Sequence, residues 1–585
     1  PNASTYGNNA FLAVVSITTK HASQDQGAYI KGTTGSQDTA DGFARYAGRS
    51  GDLDYRISVG TKNDSGTQLL DDFTETDFLS YRLDYQIDLS TQLYYSGGLQ
   101  DNEFGDVQRN QESIHDDVNV TTAFQHIKLE HSFKNDSSLA IQYYYNYTKS
   151  LNSEFVTRVS LSEFGSILSN IDDFDVIQRF ALESERHDLE LAYYYNPLDS
   201  LRLVSGASVR TDKVIADNVF DANTDNTLLL YRFFTHGEYA LTDSFLINAG
   251  FMVEDNSISG TDISPRLAFI YHLTKQHSFR LSTSKATRTP TIFDENGYVA
   301  TQQQLTQDGG QPLNNPPLEN ILGGDVVNDT LVFTSGNVKS EEITSYEFGW
   351  MAQLLNNKLT LDIKLFSDET HNLIDEIDFL GDVPGENAGD LYAALGLVFP
   401  GSGADDTANV AGTKVQGLEF YADYNITTDW RLYGYFAYTE IQAKYTKSSV
   451  DIGKQIGTVA RLEDSIPRRS FGAMLMKQWE SNLSTSLSIY RVSDMGWLDR
   501  ARNTDPAFSY SDKSAEAYTK VDFVIRKTHR TASGQIDLSL IIQNIGNSYF
   551  DYTQTNFTDA TRQTVDTPGS LQDRRAYFEL AFRFN

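Results

Sequence analysis

The sequence predicts an all-β fold, a closed antiparallel transmembrane β-barrel of about 22 strands. Three observations lead there. Apolar and polar residues alternate with period two in many segments. Short turn-forming breaks alternate with long irregular stretches, and the composition is rich in aromatic residues yet polar on average.

Alternation is clearest at the end of the chain, where Phe578, Leu580, Phe582 and Phe584 interleave with Tyr577, Glu579, Ala581 and Arg583. Leu359, Leu361, Ile363 and Leu365 interleave with Thr360, Asp362, Lys364 and Phe366. Ile536, Leu538, Leu540 and Ile542 do the same with Asp537, Ser539, Ile541 and Gln543. Successive strand residues point to opposite faces, so each segment has one apolar and one polar face.

The connections separate a barrel from a sandwich. Short polar breaks recur at 49–52, 88–91, 134–138, 196–200, 241–244, 273–277, 355–358, 426–429, 478–482 and 528–534. They carry the Asn, Asp, Gly, Pro or Ser that tight turns need. Longer irregular stretches, such as 149–184, 286–341, 368–412 and 551–573, lie between them. Short turns at one end and long loops at the other are the outer-membrane arrangement, and ten turns imply about 22 strands. So wide a barrel has an interior that needs a plug, because wall side chains cannot fill it. A β-propeller would repeat a blade signature, and no fixed-period repeat occurs. Tyr143–Tyr145 and Tyr193–Tyr195 lie just before short turns, where an interfacial aromatic girdle would fall; ordinary cross-strand packing is the competing reading.

Composition narrows the function. The 585 residues include 34 Phe and 33 Tyr but only 5 Met, and 12 scattered Pro leave no interdomain linker. A mean hydropathy of −0.41, with no apolar run near ~20 residues, excludes membrane helices. Barrel strands escape that test because only every second residue meets lipid. The net charge of −32 argues against nucleic acid, whose phosphates need clustered Lys and Arg, and is assigned to acidic loops. The absence of Cys removes disulfides, zinc–thiolate sites and thiol catalysis together.

Several motifs appear in order. Tyr6 to Lys20 reads YGNNAFLAVVSITTK, and Ile263 to Phe293 reads ISPRLAFIYHLTKQHSFRLSTSKATRTPTIF. Within Val338 to Ile374, KSEEITSYEFGW precedes NNKLTLDIKLFSDETHNLI. Gly417-Leu418-Glu419, Ile466-Pro467-Arg468, LIIQNIGNSYF from Leu540 to Phe550, and Arg574-Arg575-Ala576-Tyr577-Phe578 follow. Each is weak alone. Together they resemble TonB-dependent outer-membrane receptors: a YGxxAxxGVxNIxTK plug ending, then the SPR, RTP, SYExG, GxExE, PRH and NLxDxxY segments of the barrel. Ala13 and Ser16 depart from the plug pattern's Gly and Asn, and the chain ends on Asn585 where such barrels end on an aromatic.

The resemblance implies that residues 1–25 are the C-terminal remnant of a plug domain and 26–585 the transmembrane barrel. Most of the plug, a signal peptide and a TonB-contacting segment would lie upstream of Pro1. It further implies an active importer of the bacterial outer membrane, driven by TonB and most often carrying a ferric siderophore. Cobalamin, haem, peptide and glycan are the alternative cargoes, and a passive large porin the alternative mechanism. The partners implied are TonB, outer-membrane lipid and lipopolysaccharide, and a small iron chelate, with no nucleic acid; the barrel would be a monomer. No cofactor is implied.

Site chemistry in the sequence is sparse. GxSxG, HExxH and Gly-rich phosphate loops are absent, so no catalytic residue is assigned and a barrel enzyme is disfavoured. His126 and His131 have no metal-site spacing. Asp221-Ala222-Asn223-Thr224-Asp225 begins like an EF-hand but has Asn226 and Arg232 where Gly and Glu are required. Asp172, Asp173 and Asp175 read as solvated loop carboxylates or a calcium cluster; no metal ligand is assigned. The loops 286–341 and 368–412 are the expected ligand-contacting surfaces, with Asn314-Asn315-Pro316-Pro317 irregular within the first. No individual ligand-binding residue is assigned.

Overall fold

The computed structural model describes residues 10–11, 14–67, 72–105, 117–159, 174–216, 219–220, 224–304, 306–307, 311–312, 326–378, 405–447, 459, 462–464, 466–495, 510–511, 516–550, 555–558, 564–567 and 571–584. One sheet of 24 strands dominates it. Two of these, Tyr298–Gln304 and Val326–Phe333, form a hairpin at the long-loop end and meet the wall at the parallel bridge Val332–Asp405. The other 22 form the wall, each antiparallel to its neighbours. The first, Gly27–Gly35, pairs with the last, Arg575–Phe584, from Tyr29–Arg583 to Gly35–Tyr577. Closure leaves no free edge.

All ten short breaks are hairpin turns of this wall, and their residues supply the left-handed conformations that tight reversals need. Gly51 has φ 60, Asp136 φ 57, Asn356 and Asn357 φ 56 and 63, and Ser481 and Asn482 φ 65 and 59.

Pleat parity sorts the side chains. Phe578 and Leu580 are 49% and 48% exposed on the outer face, in register with Leu540 and Leu538. Glu579 and Arg583 of the same strand face the lumen with Lys31, Tyr29 and Arg526. The outer rows Leu365–Leu418, Ile363–Phe420 and Leu487–Phe523 repeat the pattern round the wall.

Two expectations change. The stretches 149–184, 286–341 and 368–412 are less irregular than their composition suggests: strands extend to Val159, Arg288 and Asp378 and resume at Phe174, Glu341 and Asp405. Outside lipid a strand needs no strict apolar–polar alternation, so the sequence signal weakens while the hydrogen-bond ladder continues. Tyr143–Tyr145 is not one girdle cluster. Tyr143 and Tyr145 face outward beside His187, with ring centroids 6.2 and 4.9 Å away, whereas Tyr144 faces the lumen and donates to Asp188. Adjacent strand residues cannot share a face. Tyr193 and Tyr195, stacked at 5.2 Å beside the turn at 199–200, are split in the same way: both face outward, and Tyr194 between them faces the lumen.

Candidate ligand-translocation site in the lumen

Residues 10–11 and 14–26 lie inside the barrel. At one end Ala10 and Phe11, with Val14, pack on Ala286 and Ile343, a cross-strand pair of the lumen face. Val15 and Ile17 then stand 86% and 85% exposed in the lumen. At the other end the segment meets a charged clamp near the short turns. Asp25, 6% exposed, lies 3.2 Å from both Arg45 and Arg56. Arg56 also donates to the Lys20 carbonyl (3.0 Å), and Arg82 to the Thr19 carbonyl (3.0 Å) and hydroxyl (2.6 Å). Asp84 accepts from Arg82 and from the Ala22 amide at 3.0 Å. Gln26 reaches Asp54, which Arg49 holds with two 2.7 Å bonds. Charge-assisted bonds in a sheltered site are the strong class, so the segment is fixed at this end.

A second polar network lines the wall toward the long loops. Arg186 and Arg210 both bond Asp212, and Asp188, 1% exposed, takes hydrogen bonds from Tyr144 (2.9 Å) and Arg232. Thr289 donates to Glu254 at 3.3 Å. Arg288 pairs with Glu341 at 2.5 Å, and Glu341 also accepts from the Ile374 amide. Four arginines face four carboxylates, so this surface is polar and close to neutral. Beside it opens a cleft of about 970 Å³ lined by Leu182, Arg186, Arg210, Leu228, Leu230 and Phe293, among others. Apolar walls with a few fixed polar groups, at this size, suit a small molecule.

The roof of the cleft is the segment after Arg288. Thr291 and Asp294 form a reciprocal capping box that starts the helix Ile292–Asn296, and Ile292 packs on Leu228 and Leu230. The roof is tied down by Asp406, which accepts from the Ser335 amide (2.8 Å) and hydroxyl (2.7 Å), and by Thr407, which donates to the Asp294 carbonyl. Tyr298 donates its amide to the Val219 carbonyl. Parts of two expected ligand-contacting loops thus join in one cap.

A closed 22-strand wall with short turns at one end and an internal chain segment narrows the class. The family profile described as TonB dependent receptor-like, beta-barrel matches residues 20–545. The chain belongs to the TonB-dependent receptor family. It is placed in the bacterial outer membrane and is a transport protein, not an enzyme. Solved receptors share the fold at low identity. A ferric enterobactin receptor (PfeA) mutant from Pseudomonas aeruginosa matches with TM-score 0.73 and 14% identity, covering 99% of this chain and 83% of its own. The ferric-catecholate import receptor Fiu from E. coli K12 matches at 0.71 and 13%, covering 100% and 85%. The FrpB iron transporter from Neisseria meningitidis matches at 0.66 and 11%, covering 96% and 81%. No curated protein matches the chain in sequence.

In this receptor the motif residues land on the lumen face: Arg266 and Arg280 on neighbouring strands, Ser282 bonded to Glu347, Lys364 paired with Glu419. His126 and His131 lie on opposite faces of one strand and make no joint site. Among the described residues no group of three His, Asp or Glu is arranged to hold a metal. Residues 221–223, Asp172, Asp173, the Asp175 side chain and 314–317 lie outside the described residues. Sequence reasoning missed the clamp and the Asp188–Asp212 network. Their residues are ordinary alternating polar positions, and only register across three strands at the clamp and four at the network brings them together.

Proposed function

We propose that this protein is a TonB-dependent active importer of a scarce ligand, with a ferric siderophore the favoured cargo. Residues 1–25 act as the end of a plug and 26–585 as the barrel. The observation that carries the reading is the lumen segment of residues 10–11 and 14–26, held by apolar contact at one end and by Asp25 and Asp84 at the other. A passive porin has no use for a chain fastened across its channel. The siderophore assignment draws support from the ligands named for the fold neighbours, a ferric enterobactin receptor and a ferric-catecholate receptor.

In this reading the capped cleft admits the ligand and force reaches the lumen segment through TonB. Pulling detaches the apolar Phe11 contact more easily than the charged clamp, so the lumen opens while the segment stays tethered. Growth of a deletion strain on single iron sources or cobalamin, with and without TonB, tests it. TonB-dependent rescue on a ferric siderophore is expected, and uptake that ignores TonB would sink the active mechanism.

A further inference from the structure

Tyrosines form a row up one side of the lumen. Tyr421 is in register with Tyr435, Tyr435 with Gly472, and Gly472 with Tyr490, on four consecutive wall strands. Tyr490 is 6.2 Å from Tyr518 on the next strand, and Tyr518 stacks on Tyr549 at 4.0 Å with the rings 7° apart. Pleat parity puts the strand members of the row inside, because Phe420, Leu487 and Phe523 of the same strands point outward. Gly472 keeps the row continuous. The Tyr435 ring fills the space where a Cβ at Gly472 would stand, so it reaches across a strand toward Tyr490.

The row climbs. Tyr421 is near the short-turn end of Asp405–Asn425, whereas Tyr518 begins Tyr518–Thr531 at the long-loop end. At a rise of ~3.3 Å per residue and a tilt of ~40°, the difference is roughly 20 Å of lumen height. Going round the wall, the row falls between the strands that meet Phe11 and those that form the Asp25 clamp. The Asp188–Asp212 network is across the barrel from it.

What the row offers is open ring faces. Tyr421 and Tyr435 are 41% and 40% exposed, and among the described residues the hydroxyls of Tyr421, Tyr435 and Tyr490 make no hydrogen bond. Tyr144 and Tyr94, across the barrel, bond Asp188 and Ser96 instead. Below Tyr490 the lumen face of its strand is Ser488, Ser486 and Ser484, side chains too small to cover a neighbouring ring. Flanking charges pair off as Lys364–Glu419, Arg431–Asp423 and Lys520–Asp522. Flat π faces and hydroxyl donors remain, with little net charge.

We propose that this row is a stacking path for the aryl rings of a ferric chelate passing through the lumen. It rests on the siderophore reading above and narrows it to chelates whose iron-binding oxygens are carried on aromatic rings. Such a chelate turns its oxygens toward iron and its rings outward, where Tyr421, Tyr435 and Tyr490 can stack on them offset or edge to face. Their hydroxyls donate to oxygens at the ring margins. A hydroxamate chelate has no π face and gains nothing here. Because the rings stand at successive heights, one arm of the ligand can engage before another lets go, and no step breaks every contact at once.

The test is equilibrium dialysis of the purified chain in detergent, without TonB, against radiolabelled ferric tris-catecholate and ferric tris-hydroxamate. Stacking contributes roughly two- to tenfold per ring. Y421A/Y435A/Y490A should therefore weaken tris-catecholate binding by about tenfold or more and leave the tris-hydroxamate unchanged. Y421F/Y435F/Y490F should keep most of the binding, since the faces remain. F124A removes a lumen ring 41% exposed across the barrel and should change nothing. Retention of the heat-modifiable gel shift confirms that each variant folds. Four results overturn the proposal: no tris-catecholate binding by wild type, binding untouched in Y421A/Y435A/Y490A, equal loss for both chelates, or equal loss in F124A. With TonB absent, a chain that binds through the row but fails to import iron in cells supports the row and rejects active import alone.

Discussion

Replacing Asp25 with Ala tests the clamp that holds the lumen segment. Asp25 is buried between Arg45 and Arg56, each 3.2 Å away. Without it the docked segment would cover two arginines with nothing to answer their charge. Removing one partner of a buried pair costs about 3–5 kcal/mol. The lumen admits water, so the lower end, about 3 kcal/mol, is appropriate, and that shifts the docking equilibrium by roughly 100-fold. Trypsin cleavage after Lys20 reads this equilibrium, because Arg82 and Arg56 hold the carbonyls of Thr19 and Lys20 against the wall. Cleavage follows the open population when opening is fast, so the rate should rise by about two orders of magnitude. The heat-modifiable mobility of the barrel should not change, since the wall ladder is untouched. A cleavage rate within about threefold of wild type would show that the carboxylate does not hold the segment, and the tether argument would fail with it.

Three further outcomes follow from single contacts. Arg232→Met strands Asp188 with Tyr144 as its hydrogen-bond partner and should cost about 3–5 kcal/mol in denaturant titration, whereas adding Asp188→Leu should recover most of it. Gly534 has φ 151, and an added Cβ would strike the Arg583 carbonyl at the closing hairpin; Gly534→Ala should lower refolding yield, whereas Gly51→Ala, with φ 60 and open space, should cost only about 1–2 kcal/mol of strain. The Lys477 ammonium and the Thr428 hydroxyl hold the Asp429 carboxyl below its ordinary value of 3.8. This Lys477–Asp429 pair, 2.6 Å apart, with the ammonium 4.8 Å from the Trp430 ring and 5.3 Å from the Trp479 ring, contributes fully above that value and is lost as pH falls through the lowered one, which Trp430 and Trp479 fluorescence should report; a transition above the ordinary value would contradict the assignment.

Much of the wall was legible because its physics is local. Alternation assigns each residue to lipid or lumen without knowledge of any neighbour, and Phe578/Glu579 or Ile363/Lys364 fall on the faces the pattern dictates. Turn chemistry is equally local, so all ten reversals were readable and the count of 22 followed. The loop stretches misled because apolar contrast vanishes outside lipid, although the ladder does not. Strand Phe174–Leu198 has 25 residues, far more than a membrane crossing of ~9–11 requires.

The site was illegible for a different reason. Tyr144, Asp188 and Arg232 come from three strands 44 residues apart at each step, and Asp25 meets Arg45 and Arg56 from two others. Parity says only that each faces inward. Which inward residues meet depends on stagger, because each tilted strand shifts height relative to the last and the shifts accumulate round the barrel. A register slip of two residues would keep every side chain on its proper face and still separate Asp212 from Arg186. Folding therefore needs more than the apolar pattern to select one register, and the closely bonded pairs Arg186–Asp212, Lys364–Glu419 and Lys31–Glu579 oppose such slips, since each would leave charges facing the wrong neighbour. The polar lumen that receives a passing ligand also helps to fix the alignment of the wall around it.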